Sequence, residues 1–369
     1  MWVLQHAAAG SRRPGGCKLV ELAALTQTVP LPAIPPAAPR LAHRWIISRG
    51  IDLTFVIGSA LAGYAYLVAN VALHVPISFL WWFWSVGFDG THIFGTASRT
   101  FFDREARQTR RTLLFGSAAF FFALGPVMVL LGGKAILALI VAVWAYYHVI
   151  RQHYGVMVLY KVKNRDLARP DSFLDRWFLG VMTVFPPFHR FFIHRPEELG
   201  LKFAFPRLEP FLWTLVAATV VVYAGRQWVR VRRGDPINLP KFLLFAGVIP
   251  LHWLTFAYMS WMAAVPTVTI VHNLQYHALI WFHNRNRYGA RSGQGHGRIP
   301  RAISRSLLNY VLVALVFSAL YRVPGFRLGQ VSDLAFGFFC GFGLTHYYLD
   351  SKIWRVRSDP ALRQVLELA

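Results

Sequence analysis

The sequence predicts an all-α fold, a polytopic membrane helical bundle of about ten transmembrane helices, and three observations carry that prediction. Apolar runs of roughly twenty residues, the length that a bilayer crossing needs, recur along the 369 residues. The composition is 55% hydrophobic and only 15% charged, with a mean hydropathy of +0.40, where soluble chains carry about a quarter charged residues. Lys and Arg collect in every second connection between the apolar runs and are nearly absent from the others.

Residues 1–44 read as a disordered tail, because the Ala-, Pro- and Gly-rich stretch with Pro30, Pro32, Pro35, Pro36 and Pro39 cannot bury enough apolar surface to order itself. Residues 45–357 form the transmembrane domain, with spans near 51–73, 77–98, 112–131, 135–160, 174–193, 211–229, 241–259, 261–284, 306–323 and 331–354. Residues 358–369 are a short cytoplasmic tail. Arg40, Arg44 and Arg49 precede the first span, and basic clusters such as Arg99 to Arg111, Lys161 to Arg176, Arg226 to Lys241 and Arg285 to Arg305 follow the even-numbered spans. The intervening connections hold no such cluster, so the positive-inside rule places both termini in the cytoplasm.

The formal net charge of +23 is explained by this ladder and by an anionic inner membrane face, which leaves no call for nucleic acid. Only Cys17 and Cys340 are present, too few for a thiolate zinc or iron–sulfur site. Any metal must be held by His, Asp or Glu. No phosphate-binding loop of the Gly-rich Lys-Ser/Thr kind and no serine nucleophile elbow occurs. Gly293-Gln294-Gly295-His296-Gly297 reads as a flexible loop.

The histidines are an independent test of the topology. The last turns of the even-numbered spans hold Asp89 and His92, then His148 and His153, then His272, His277 and His283, and finally His346 and Asp350. Four helices thus deliver imidazoles to one depth near the cytoplasmic surface. A lone histidine in a membrane helix serves as polar glue between helices as readily as it serves chemistry, but a four-helix convergence points to a metal site. The expected ligands are His92, His148, His153, His272, His277 and His346, with Asp89, Asp350 and Arg151 as candidate catalytic groups. Asp350 lies about 40° from His346 around the helix and Asp89 about 60° from His92, so each pair shares a face. The pairs His148/His153 and His272/His277 are five residues apart, about 140° on an ideal helix. Both rings reach one centre only through a local π-turn; otherwise one histidine of each pair stands behind the ligands, or the pair serves two adjacent metals, and the repeated spacing favours the π-turn or the two metals. Gln152, Asn273, Gln275 and Tyr276 are placed to orient the rings. His189, His194 and His252 fall at the outer side or mid-depth and read as structural or surface histidines.

These residues resemble those of the membrane-embedded, histidine-rich non-haem iron oxygenases, and more closely the bacterial Brp/Blh family of carotene-cleaving dioxygenases. The resemblance rests on His148-Val149-Ile150-Arg151-Gln152-His153-Tyr154, on His346-Tyr347-Tyr348-Leu349-Asp350 and on His92-Ile93-Phe94-Gly95. It implies one or two non-haem iron ions, O2 as co-substrate and an apolar substrate, of which a carotenoid is one candidate. The partners implied are the lipid bilayer, a lipophilic small molecule and a redox protein on the cytoplasmic side, in a bacterial inner membrane. Two other classes remain open on the residues: a b-type haem clamped between facing helices for electron transfer, and a metal or organic-anion transporter whose two similar His segments are the trace of an internal repeat.

Overall fold

The computed structural model describes residues 40–289 and 297–368. Most of the expected tail, Cys17 and most of the Gly-rich loop at 293–297 lie outside the described residues. The described chain is almost entirely helical. Its main helices are α1 (Ser59–Val71), α2 (Ile77–Trp84), α3 (Gly90–Arg99), α4 (Ser117–Leu130), α5 (Lys134–Lys163), α6 (Arg169–Phe188), α7 (Glu209–Arg232), α8 (Leu239–Tyr258), α9 (Trp261–Tyr288), α10 (Leu307–Val331) and α11 (Asp333–Ile353).

Among the described residues, six helical stretches are long and apolar enough to cross a membrane by length and composition: Arg49–Val71, Thr112–Leu130, Lys134–Lys163, Pro206–Arg232, Leu239–Tyr258 and Leu307–Val331. Side chains such as Leu61, Leu130, Val221 and Leu320 stand exposed on their outer faces, as lipid-facing residues do. The other four expected spans are helical too, in the regions of α2–α3, α6, α9 and α11. Their polar content sets them apart: α9 alone holds His272, Asn273, Gln275, Tyr276, His277 and His283. Three of those four regions carry the expected site residues, so the chemistry itself dilutes the hydropathy.

Three boundaries differ from the sequence expectation. Residues 40–44 are tied down: Leu41–Ala42 (β1) pairs in parallel with Ile237–Asn238 (β2), and Asn164 bonds the backbone of Arg44 in both directions. A two-residue bridge of this kind has no hydrophobic periodicity to announce it. The ninth span does not stop at 323. α10 runs through Pro324 to Val331, so Arg322 lies inside the helix rather than at its very end. The segment after α11 is folded back, with helix α12 (Pro360–Val365) burying Leu362, Leu366 and Leu368 and its Val365 carbonyl held by Asn286.

Two kinds of contact fix the bundle around the site. α4 and α11 cross closely because Gly125 and Gly337 face each other; a Cβ on either would overlap the backbone of the other. At the ends of α5 to α8, a buried charge network replaces the solvated loop charges that the sequence suggests. Lys161 and Lys241 are almost fully buried and both pair with Asp175, while Lys241 also reaches Asp166 at 3.0 Å. Arg230 reaches Asp166 at 3.0 Å, and Tyr223 donates to Asp175 at 2.7 Å. Buried charges demand such mutual pairing, because each ion left alone in a low-dielectric interior costs several kcal/mol.

Candidate metal centre

α3, α5, α9 and α11 each contribute one histidine to a single cluster: His92, His148, His272 and His346 offer ligand nitrogens that all lie within 4.8 Å of one another. His92 Nε2 is 2.8 Å from His346 Nε2 and 3.2 Å from His272 Nε2. The His148 ring packs edge-on against those of His272 and His346, with centroids 4.9 Å away in each case. All four residues are buried.

The hydrogen bonds around the cluster decide which nitrogens hold protons. His92 Nδ1 is 2.8 Å from the Asp89 carbonyl oxygen, which can only accept, so the proton sits on Nδ1 and Nε2 carries a lone pair. His346 Nδ1 is 2.7 Å from Thr96 Oγ1, whose own hydroxyl proton goes to Asp350 Oδ1 at 2.7 Å. His346 therefore donates from Nδ1 and likewise turns a lone pair inward from Nε2. Two lone pairs at 2.8 Å repel unless a cation lies between them. His148 Nε2 and His272 Nδ1 are buried without a hydrogen-bond partner, which costs about 1–3 kcal/mol for each orphaned group. A divalent metal accepting the inward nitrogens removes the lone-pair repulsion between His92 and His346, while His272, which turns Nε2 toward His92, keeps its Nδ1 orphaned; neutral imidazoles suit iron, copper, nickel or zinc. The residues present fit a metal.

The helix geometry explains which expected residues join. α5 and α9 are regular α-helices through their His pairs, so the expected π-turn is not formed there. Five residues along each helix turn the second histidine away by about 140°. His153 Nδ1 meets Gln275 Oε1 at 3.0 Å and its ring faces His252. His277 lies between Thr91 Oγ1 at 3.0 Å and the Tyr310 hydroxyl at 2.8 Å, so both of its nitrogens have protein partners. Neither reaches the four-histidine cluster. Arg151 is exposed and lies over the Tyr154 ring, 5.1 Å from its centroid; the cluster does not include it, and its long stem carries its charge outward.

The two aspartates stand behind the ligands. Asp350 accepts from Thr96 and from Tyr276, at 2.7 and 2.8 Å, and lies 3.8 Å from His148 Nε2. It orients His346 through Thr96. Asp89 orients His92 with its backbone carbonyl, while its carboxylate pairs with Arg322 of α10. Gln152 bonds the His272 carbonyl at 2.7 Å. Of the four residues expected to orient the rings, Gln275 accepts from an imidazole, that of His153; Gln152 bonds a backbone carbonyl, Tyr276 bonds Thr96 and Asp350, and the buried Asn273 amide has no hydrogen-bond partner. Thr96 and Arg322 have no sequence signal, because a threonine in a helix and an arginine at the end of an expected span say nothing until the helices are packed.

A cavity of about 460 Å³, lined by Trp81, Trp84, Asp89, Thr269, Arg322 and Tyr347 among others, reaches residues that touch the cluster but none of the four histidines themselves. Tyr347 packs on His148 at 4.9 Å between centroids, and Thr269 precedes His272 by one helical turn. From α5 and α9 the cavity takes residues before the ligand in sequence, such as Ala142, Ala145, Val265 and Thr269, so it extends along the helices toward their N-terminal halves. The walls are aromatic and aliphatic, with the Asp89–Arg322 pair as the charged element. A larger groove of about 600 Å³ between α6 and α7 is lined by Phe173, Trp177, Val184 and Leu212. It lies away from every cluster residue, and its size alone gives it no chemistry.

No protein-family model, curated protein or solved structure matches the chain.

Proposed function

We propose that this chain is a membrane-embedded metalloenzyme, a non-haem iron oxygenase acting on a lipid or isoprenoid substrate of carotenoid-like character. The observation that carries this reading is the inward convergence of four imidazoles whose outer nitrogens, where partnered, already hold their protons. Supporting it is the adjoining aromatic cavity, whose volume falls in the range of small-molecule sites.

In this reading His92, His148, His272 and His346 hold one iron ion, and bound iron supplies oxygen activation at coordination positions that the protein leaves open. The protein's own groups do the rest. Asp89 and Thr96 fix the His92 and His346 rings, Asp350 and Tyr276 hold Thr96, and the cavity walls exclude water and align an apolar chain beside the cluster. Ten spans with both termini in the cytoplasm put the cluster near the inner membrane face, within reach of a soluble reductant. A haem clamp is disfavoured because it uses two axial imidazoles with a clear plane between them, whereas four rings crowd one point here.

The test is oxygen uptake by iron-loaded, detergent-purified protein offered carotenoids, other isoprenoids and acyl lipids in turn, with and without reductant. Uptake that depends on one substrate class and disappears in His272→Ala supports the proposal. Absence of uptake with every class, in protein that retains its iron, contradicts it.

A further inference from the structure

At the other end of α6, Pro186 and Pro187 lie in its last turn and contribute no N–H donors. The chain continues as a π-helical turn, His189–His194, closed by an i→i+5 bond from Arg195 N–H to Arg190 O at 2.6 Å. In an α-helix residues five apart point about 140° away from each other. In this turn they meet: His194 Nε2 is 3.2 Å from His189 Nε2. Glu209, the first residue of α7, places Oε1 2.9 Å from His189 Nε2 and 3.3 Å from His194 Nε2.

We propose that His189, His194 and Glu209 form a second metal site, open to solvent, that takes a divalent ion of the zinc type. The three ligand atoms make a triangle with edges of 2.9, 3.2 and 3.3 Å. Three ligands of a tetrahedral ion bound at 2.0–2.1 Å stand about 3.3–3.4 Å apart, so the ion enters with movements of a few tenths of an ångström. Two imidazoles and a carboxylate are a common zinc donor set, and the fourth position falls to water. The His189 side chain is 20% exposed, that of Glu209 34% and that of His194 50%, so solvent reaches the site directly.

The neighbours hold the ligands in place. Phe185 stacks on the His189 ring and Trp213 meets it edge-on. Arg190, inside the same turn, bonds Glu198 and the Phe256 carbonyl, which anchors the turn against the end of α8. An ion here ties the end of α6 to the start of α7 across the connection 195–208. The site shares no residue with the four-histidine cluster, so it stands or falls independently of the iron assignment.

The experiment is a zinc titration of the metal-stripped, full-length protein in detergent, read as bound equivalents and as the shift in thermal midpoint, for the wild type, His194→Ala, Glu209→Gln and His272→Ala. The structure predicts that His194→Ala loses about one equivalent and the zinc-dependent rise in midpoint, that Glu209→Gln binds that equivalent more weakly, and that His272→Ala keeps it. His194 is half exposed, so its removal leaves the apo fold and its midpoint unchanged. Equal zinc equivalents in the wild type and His194→Ala, both folded, would overturn the proposal and leave the three side chains as a hydrogen-bonded surface cluster.

Discussion

His92 and His346 face each other Nε2 to Nε2 at 2.8 Å, and each has its Nδ1 proton engaged elsewhere, on the Asp89 carbonyl and on Thr96. Neither ring can serve as donor to the other without giving up that bond. The pair suits a cation between the two nitrogens, and that makes the residues behind the rings matter.

Thr96 passes the orienting effect of Asp350 to His346. Thr96→Val keeps the shape and removes the hydroxyl's three hydrogen bonds, to His346, Asp350 and Tyr276. Metal affinity should fall by about 10–100-fold, the usual cost of losing an outer-shell partner, while the fold persists. Titration of the stripped variant measures it, and unchanged affinity would show that His346 is positioned by packing alone.

His277 and His272 share a helix and a sequence pattern but not a role. His277→Phe should retain metal and lose about 1–3 kcal/mol of stability, from the buried Thr91 and Tyr310 groups left without their partner. His272→Ala should lose the metal. Comparing metal content with thermal midpoints for the two variants separates a ligand from a helix-linking histidine.

The network around Asp166 makes the fold sensitive to acid. Burial pushes the Asp166 carboxyl up, but Lys241, Lys161 and Arg230 beside it outweigh that and hold it below its ordinary 3.8. With the folded value lower than the unfolded one, its contribution is complete above the ordinary carboxylate range and is lost as pH falls through the folded value. The thermal midpoint should therefore drop on acidification below 3.8. Asp166→Asn should cost about 3 kcal/mol at neutral pH and flatten that acid limb. An acid limb of equal steepness in the variant would assign the sensitivity to other carboxylates.

Gly125 and Gly337 set the distance between α4 and α11, the helix that carries His346. Gly125→Val forces the two backbones apart and should lower both the midpoint and metal retention, whereas Gly180→Ala, with open space around it, should change neither. Metal analysis and a melting curve on the two variants check this.

Much of the site was legible because two signals that do not depend on each other agreed. Loop arginines and lysines set the direction of each helix, and the directions put four histidines at one depth, where the structure indeed gathers His92, His148, His272 and His346. The i,i+5 spacing was the weak point. A π-turn or two adjacent metals was expected at His148/His153 and His272/His277; the helices stay regular there and turn the second histidine away, while a π-turn forms at His189/His194. The spacing says that two residues would meet in a π-turn but not where one forms: others occur at Asp52–Val56, Ser85–Asp89 and Thr112–Gly116 with no proline beside them. Lys161 and Asp175 read as ordinary loop-proximal charges because the other partners of Asp175, Lys241 and Tyr223, are distant in sequence. Arg322 was hidden for the same reason, since only packing brings α10 against Asp89.

The most direct measurement is metal content with an optical spectrum on detergent-purified protein, beside the double variant His148→Ala, His272→Ala. The account predicts about one iron per chain in the four-histidine cluster, no Soret band, and loss of that iron in a variant that remains helical. Haem absorption, or a folded and carefully prepared wild type that takes up no iron when it is supplied, would contradict the central claim.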